Sequence, residues 1–339
     1  MRRIIDVMSD DRPARPAQTP VSPNIARAFV GLCWVVIIAV WLLERQSAET
    51  LWLGAVLAYG PQAFWPAPVA LALITALLAR DRGASIMAML LVILMFIFLL
   101  GLNLPIPVES DGGQHLTLIT WNVFHQHDRA DEFKAEVERR GADVVLLQEA
   151  FGPQWRKTFS DWQAVPWHDG WIFTRGKILA SDTIPMGDSW REACWAKLRF
   201  GQRDVAILNT HFTSGVAEGL PIRRFEGASA ATFGVTRESR HSQMASCVDW
   251  AADQKSPYIL AGDFNTPANS KQWLPIRSIA QDAFTARGVG FGYTYSTSLP
   301  LWRIDYVWAS RDFEVLHCET LGGRLSDHRG VCAELEFLN

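Results

Sequence analysis

Three stretches in the first 104 residues carry almost no charge, and they limit what this chain can become more than any other feature. They cover 28–43, 51–79 and 84–104. A helix crossing the hydrocarbon core of a bilayer needs about 20 apolar residues, within a range of roughly 17–25. The third stretch meets this outright. The first meets it if its flanks, Glu44 included, sit at the interface. The second has 29 residues, too few for two crossings and many for one, and contains Pro61, Pro66 and Pro68. It reads as one crossing broken or bent near the prolines, with Trp52 and Trp65 suited to an interfacial belt. A buried bundle in a water-soluble protein would keep a polar face on its helices, and these stretches have none. A cleaved signal peptide fits poorly, because 27 residues precede the first stretch and two more stretches follow it.

Arginines set the expected orientation, because positive flanks stay cytoplasmic. Arg2, Arg3, Arg12, Arg15 and Arg27 precede the first stretch, Arg80 and Arg82 crowd the link before the third, and Arg45 alone lies between the first two. Three crossings that start inside place the part after Pro105 outside the cytoplasm; an even number would reverse this. The expected organisation is a disordered cytoplasmic tail over 1–27 and a membrane anchor over 28–104, with transmembrane helices near 28–43, 55–79 and 84–104. A linker over 105–114 and a folded domain over 115–339 follow. The whole reads as a multi-pass protein of a bacterial inner membrane, with the folded domain extracytoplasmic and the lipid bilayer as the anchor's partner.

Charge divides the same way. Eight arginines and six carboxylates precede Pro105, and 24 basic and 29 acidic residues follow from it onward. The second part is therefore acidic, which argues against a general polyanion-binding surface. Its strand candidates are 115–121, 143–147, 204–212, 258–261, 303–308 and 331–337. The last alternates Val331, Ala333, Leu335 and Phe337 with Glu334 and Glu336. Helices are expected over 128–140, ended by Gly141, and over 236–253. Many strands with few helices between them suggest two packed sheets with helices outside.

Polar groups collect where these strands end: Asn122, Glu149, His211, Asp263 with Asn265, Asp305, and Asp327 with His328. Singly each is weak, since an Asn at a strand end is commonly a turn former and Asp-Asn near Gly an Asx turn. As a set they are four carboxylates, two imidazoles and two amides on the ends of core-type strands. Carboxylate oxygens suit a hard cation such as Mg²⁺ or Mn²⁺, and amides and imidazole suit phosphate oxygens and an attacking water.

The strings TWN, LLQEA, NTHF, AGDFN, RIDYV and SDHRG, which contain these residues, resemble in order and approximate spacing those of the endonuclease/exonuclease/phosphatase superfamily. Gly262-Asp-Phe-Asn265 and Ser326-Asp-His328 are the most specific, and the match covers roughly 116–337. The resemblance implies an α+β, four-layered α/β sandwich (DNase I-like) preceded by the three transmembrane helices, and a Mg²⁺- or Mn²⁺-dependent hydrolase of phosphoester bonds. It also implies roles. Glu149 resembles the principal metal ligand, helped by Asn122 and Asp327. Asp263 resembles the residue that orients or activates water. Asn265, with Asn122 and His211, would hold the phosphate. His328 would act as base or transition-state stabiliser, with Asp305 fixing its tautomer, and His211 as general acid or phosphate clamp. The family's additional Tyr or Glu partner has no secure counterpart here.

Other features remain open. The segment 213–240, with Arg223, Arg224, Arg237 and Arg240, reads as a mobile loop that contacts substrate or as a solvated surface loop. His125-Gln-His-Asp128 invites a metal reading, though a short exposed His pair is more often idle. Trp155, Trp162, Trp167, Trp171, Trp190 and Trp195 read as core, or as an apolar rim facing the bilayer. Cys318 and Cys332 are the best pair for a disulfide. A lipid or small phosphoester is favoured as substrate; a nuclease on extracytoplasmic nucleic acid is the alternative, and a non-catalytic membrane binding protein is a third. No obligate protein partner is implied.

Overall fold

The computed structural model describes residues 21–47, 52–60, 62–187, 189–214 and 230–338. The proposed tail falls largely on residues outside this set. The chain divides into two compact units, one of Met1–Ile37 with Trp65–Ile93 and one of Ile38–Phe64 with Leu94–Asn339.

In the first unit, α1 (Pro23–Ser47, only its start belonging here), α3 (Pro66–Leu78) and α4 (Arg82–Leu94) pack through small and aliphatic side chains, α2 (Trp52–Tyr59) lying in the other unit. The buried seam is Ala26, Val30 and Cys33 on α1, Val69, Ala72 and Ala76 on α3, and Ala84, Ala88 and Leu91 on α4. Spacings of three and four put each set on one helix face, and small residues let the backbones approach closely. The outer faces show Leu32, Val35, Leu71, Ile74, Leu77, Ile86 and Leu90 to the surroundings. Arg27 Nε lies 2.6 Å from Asp81 Oδ2, and Asp81 Oδ1 accepts from Ala84 N at 3.0 Å, capping α4. The start of α1 and the Arg80–Arg82 link therefore lie at the same end.

The expected number of crossings needs correction. Among the described residues, two helices are long and apolar enough to cross a membrane, Pro23–Gln46 and Arg82–Leu99. The middle stretch breaks into α2, a 3-10 turn over Gln62–Phe64 and α3, with proline in the first turn of α3. Its 13-residue α3 reaches only about 20 Å at 1.5 Å per residue, short of a hydrocarbon core of roughly 30 Å.

Among its described residues the second unit holds twelve strands. One sheet has the order β11 (Phe313–Thr320), β12 (Val331–Phe337), β1 (His115–Asn122), β2 (Val144–Gln148), β4 (Gly170–Thr174) and β3 (Gln163–Trp167). The other has the order β5 (Lys177–Pro185), β6 (Glu192–Phe200), β7 (Arg203–His211), β8 (Tyr258–Asp263), β10 (Asp305–Ser310) and β9 (Ala280–Asp282). At the centre of each sheet one parallel pair, β1 with β2 and β7 with β8, lies among antiparallel neighbours. Leu116, Leu118, Val144 and Leu146 face Leu198, Val205, Ile207, Ile259 and Ala261 in a single core cluster between the sheets. Outside the first sheet α5 (Ala130–Arg139) and α6 (Gln154–Thr158) bring Phe133, Val137 and Trp155 onto Trp121, Val145 and Phe173. Outside the second, α7 (Ala230–Ala252) brings Met244, Cys247 and Trp250 onto Leu208, Leu260 and Trp308. This is the expected layering of helix, sheet, sheet and helix.

Four further expectations meet the structure here. Residues 230–240 are the first turns of α7, not a loop, and Arg240 is buried with its guanidinium carbon 5.1 Å from the Tyr59 ring centroid. The rest of that segment, with Arg223 and Arg224, lies outside the described residues. Cys318 and Cys332 are free. Cys318 pairs in register with Ala333 while Cys332 pairs with Glu319, so the thiols face opposite sides of the sheet, one in the inter-sheet core and one under α5. Trp155 and Trp162 are core, whereas Trp190 is 71% exposed. The end of the linker is fastened: Ser110 Oγ and the amides of Asp111 and Gly113 donate to the Glu336 carboxylate.

Candidate active site

The two parallel strand pairs end at the same edge of the sandwich, and their last residues build the site. β1 ends at Asn122 and β2 is followed by Glu149; β7 ends at His211 and β8 at Asp263. Asp305 opens β10 opposite Asp263, with which it pairs in register, and the turn before β12 supplies Asp327 and His328. Gly262 makes the strand end possible: at φ +147° its Cα lies so close to the neighbouring strand that a Cβ would sit 1.9 Å from Thr210 O. Glu149 and Asn265 adopt positive φ without being glycine, at +54° and +47°. Such backbone costs about 1–3 kcal/mol each and persists where surrounding contacts hold it.

Asp263 Oδ2 is the geometric centre. It accepts from Asn122 Nδ2 at 3.1 Å and lies 3.7 Å from His211 Nε2 and 3.8 Å from His328 Nε2. Each imidazole is backed through Nδ1 by a buried carboxylate: His328 by Asp305 at 2.9 Å, His211 by Asp169 at 2.7 Å. Both pairs join one sheet to the other. Asn122 Nδ2 also donates to Glu149 Oε1 at 3.0 Å, while its Oδ1 accepts from Phe124 N at 3.0 Å. Asn122 is therefore a bridging donor between two carboxylates. Asn265 Nδ2 donates to Phe212 O at 3.0 Å, and its backbone N–H to Asp263 Oδ1 at 2.9 Å. Beneath the site, Gln148 Nε2 donates to Asn209 Oδ1 at 2.6 Å, closing the polar end of the inter-sheet core.

Electrostatics follow from burial among like charges. Burial, then Asp305, raises the Asp263 carboxyl above its usual range; burial and the neighbouring Glu149 do the same for Asp327 despite His328. Burial alone would lower the His328 imidazolium, but Asp305 and Asp263 outweigh it and push it up to about 10. His211 is raised against burial by Asp169. Tyr295, whose ring centroid is 4.8 Å from that of His328, is pushed up to about 12 by burial and then by Asp327 and Asp263.

The donor set fits a hard divalent cation. Four carboxylates converge, two of them raised, and Asp305 Oδ1 is buried with no hydrogen-bond partner among the described residues. Ligand atoms of Asp263, Asp305 and His328 lie within 4.8 Å of one another. The Asp305–His328 bond already engages the Nδ1 of that trio. Glu149 and Asp327, half-buried and unpaired with any lysine or arginine among the described residues, are the better holders of a cation.

All eight sequence-predicted residues thus gather at one edge. Asp169 was missed because, ahead of Gly170, it reads as turn chemistry, and with His168 it does form the two-residue turn between β3 and β4. Tyr295 lies in an irregular segment with no periodic signal. His125 is not idle: its Nε2 is 3.2 Å from Glu149 Oε2 and its ring stacks on Phe151 at 4.9 Å.

No curated protein matches the chain. Among solved structures, an endonuclease/exonuclease/phosphatase from Bacteroides vulgatus is 19% identical, covering 66% of this chain and 99% of its own, with a TM-score of 0.55. One from Beutenbergia cavernae is 20% identical over 67% of this chain and 72% of its own, at 0.51. D. rerio TDP2, complexed with single strand DNA product, is 18% identical over 66% and 99%, also at 0.51. These likenesses establish the fold of the second unit. The profile of the Endonuclease/Exonuclease/phosphatase family matches residues 119–328, which is more than half of the chain and contains every residue of the site named above. The chain belongs to the endonuclease/exonuclease/phosphatase family.

Proposed function

We propose that the protein is a membrane-anchored, divalent-cation-dependent phosphoesterase that hydrolyses a lipid or small phosphoester outside the cytoplasm. The observation that carries this is Asp263 set between two imidazoles, each backed by its own carboxylate. Asp263, with a raised pKa, takes a proton from the attacking water. His328, cationic at neutral pH, donates through Nε2 to a phosphoryl oxygen as charge develops there. His211 donates through Nε2 to the leaving oxygen, its tautomer set by Asp169. Asn122 keeps Glu149 and Asp263 at a fixed separation. Glu149 and Asp327 would hold Mg²⁺ or Mn²⁺, which supplies charge neutralisation and orientation of the phosphoester.

The membrane part of the proposal is supported by the inverted burial of the first unit, with alanines inside and large aliphatics outside. Orientation is supported by the arginines: Arg27 and Arg80–Arg82 lie at one end, so both membrane-length helices start there and run outward. Between them α3 brings the chain back to that end, and the count of two does not reverse the domain. The full chain, purified in detergent, should hydrolyse bis-p-nitrophenyl phosphate with Mg²⁺ and lose this activity in EDTA. Glu149→Gln, Asp263→Asn and His328→Ala should each reduce the rate about 10²–10⁴-fold. Undiminished activity in these variants would place the chemistry elsewhere.

A further inference from the structure

The segment 288–302 is tied to the chain leaving the apolar helix that ends at Leu99, to the end of α2, and to the catalytic histidine. At its start Asn103 and Gly290 exchange backbone hydrogen bonds at 2.8 and 2.9 Å, and Asn103 Nδ2 donates to Gly288 O at 2.7 Å. Tyr293 Oη donates to Leu100 O at 2.8 Å, and Trp302 Nε1 donates to Tyr59 O at 2.9 Å. Leu100 and Asn103 follow directly on the apolar helix that ends at Leu99, and Tyr59 ends α2. All these residues belong to the second unit. On its other side the segment frames the site. Besides the Tyr295–His328 contact, Thr297 N donates to Asp327 O and Arg329 N to Thr294 O, both at 2.7 Å.

Between these ties, large apolar side chains stand in the open. Val289 is 70% and Leu299 62% exposed, and Leu104 and Ile106 on the exiting chain are 71% and 82% exposed. Exposed aliphatics beside the exit of a membrane-length helix match a lipid surface, with which that helix is continuous. We propose that segment 288–302 rests on the bilayer, Val289 and Leu299 entering its apolar boundary, so that the site takes a phosphoester carried by a lipid. This rests on the phosphoesterase reading above. In the reaction the water oxygen forms a new P–O bond, the P–O bond to the leaving alcohol breaks, one water proton passes to Asp263 and the leaving oxygen is protonated.

The test uses the full chain with Mg²⁺ in vesicles of phosphatidylcholine, phosphatidylglycerol and phosphatidic acid, with bis-p-nitrophenyl phosphate and a single-stranded oligonucleotide assayed in parallel. Wild type should release headgroup or phosphate from a vesicle lipid. Val289→Gln/Leu299→Gln should do so about tenfold more slowly, as two apolar contacts are lost, while soluble diester hydrolysis stays within about twofold. Equal loss on both substrates, or loss on neither, overturns the proposal, as does cleavage of the oligonucleotide but of no lipid. Absence of soluble diester hydrolysis in wild type would instead sink the phosphoesterase reading and this proposal with it. A nitroxide at Leu299→Cys gives an independent measure: greater accessibility to oxygen than to a nickel complex is expected, and the reverse overturns the proposal.

Discussion

Asp169 Oδ2 and His211 Nδ1, 2.7 Å apart, repeat across Asp263 the pairing that Asp305 makes with His328 at 2.9 Å. The two imidazoles approach Asp263 Oδ2 from opposite partners at nearly equal distances, 3.7 and 3.8 Å. Asp169 thus does for one histidine what Asp305 does for the other. Asp169→Asn should lower kcat about 10–10²-fold with little change in KM, since the carboxylate acts through His211 and not on bound substrate. A change confined to KM would remove Asp169 from the mechanism.

Asp305 is the first of the groups that raise His328 to about 10 against burial. In wild type the imidazolium therefore persists through neutral pH and is lost only on the alkaline side. In Asp305→Asn the residual rate should begin to fall at a clearly lower pH, measured as the alkaline limb of kcat against pH. An unshifted limb would assign that limb to another group.

Glu336 governs a second pH effect, on stability. Burial opposes its charge, but donors from Gly113, Ser110 and Asp111 outweigh this and lower its pKa. A lowered carboxyl stabilises the fold above its unfolded value of about 4.3 and loses that contribution as pH falls through the folded value. Glu336→Gln should therefore melt earlier than wild type at pH 7, and the gap should close as pH falls below about 4, followed by thermal melting in detergent.

The five cysteines are free and buried, and burial pushes the Cys332 thiol up to about 12. Thiols so protonated and enclosed react slowly. A thiol reagent should find none of them in the folded protein and five after denaturation without reductant. Three would indicate a disulfide.

Gly262→Ala places a methyl 1.9 Å from Thr210 O at a φ of +147°. Destabilisation of about 3 kcal/mol or more is expected from clash and strain together, read from melting. Activity should fall as well, since Gly262 directly precedes Asp263.

Much of this site was legible because strand ends have a local signature: an apolar run closed by a polar residue, as in Leu146-Leu-Gln-Glu149. The 331–337 strand was readable residue for residue from its alternation, matching β12. What escaped lacks such a period. The edge strand β5 has no fully buried residue, so its sequence carries little apolar signal. Asp169 looks like turn chemistry, and its second role exists only once the sheets face each other. Cys318 and Cys332 looked pairable because their strands are adjacent, but sequence proximity of strands does not reveal register, and a one-residue offset turns the thiols to opposite faces. Prolines announced the break in 51–79, though not that the helix after it would be only 13 residues long.

Both imidazole–carboxylate pairs, and the Asn122–Asp263 bond, span the gap between the sheets. That gap is set by the thickness of the side chains between them, Leu118 and Leu146 against Ile207, Ile259 and Ala261. The greasy interior is thus the ruler for the catalytic clearance. A larger side chain at Ala261 would pry the two half-sites apart even if every polar residue stayed intact, and the enzyme would lose turnover for want of a fraction of an ångström.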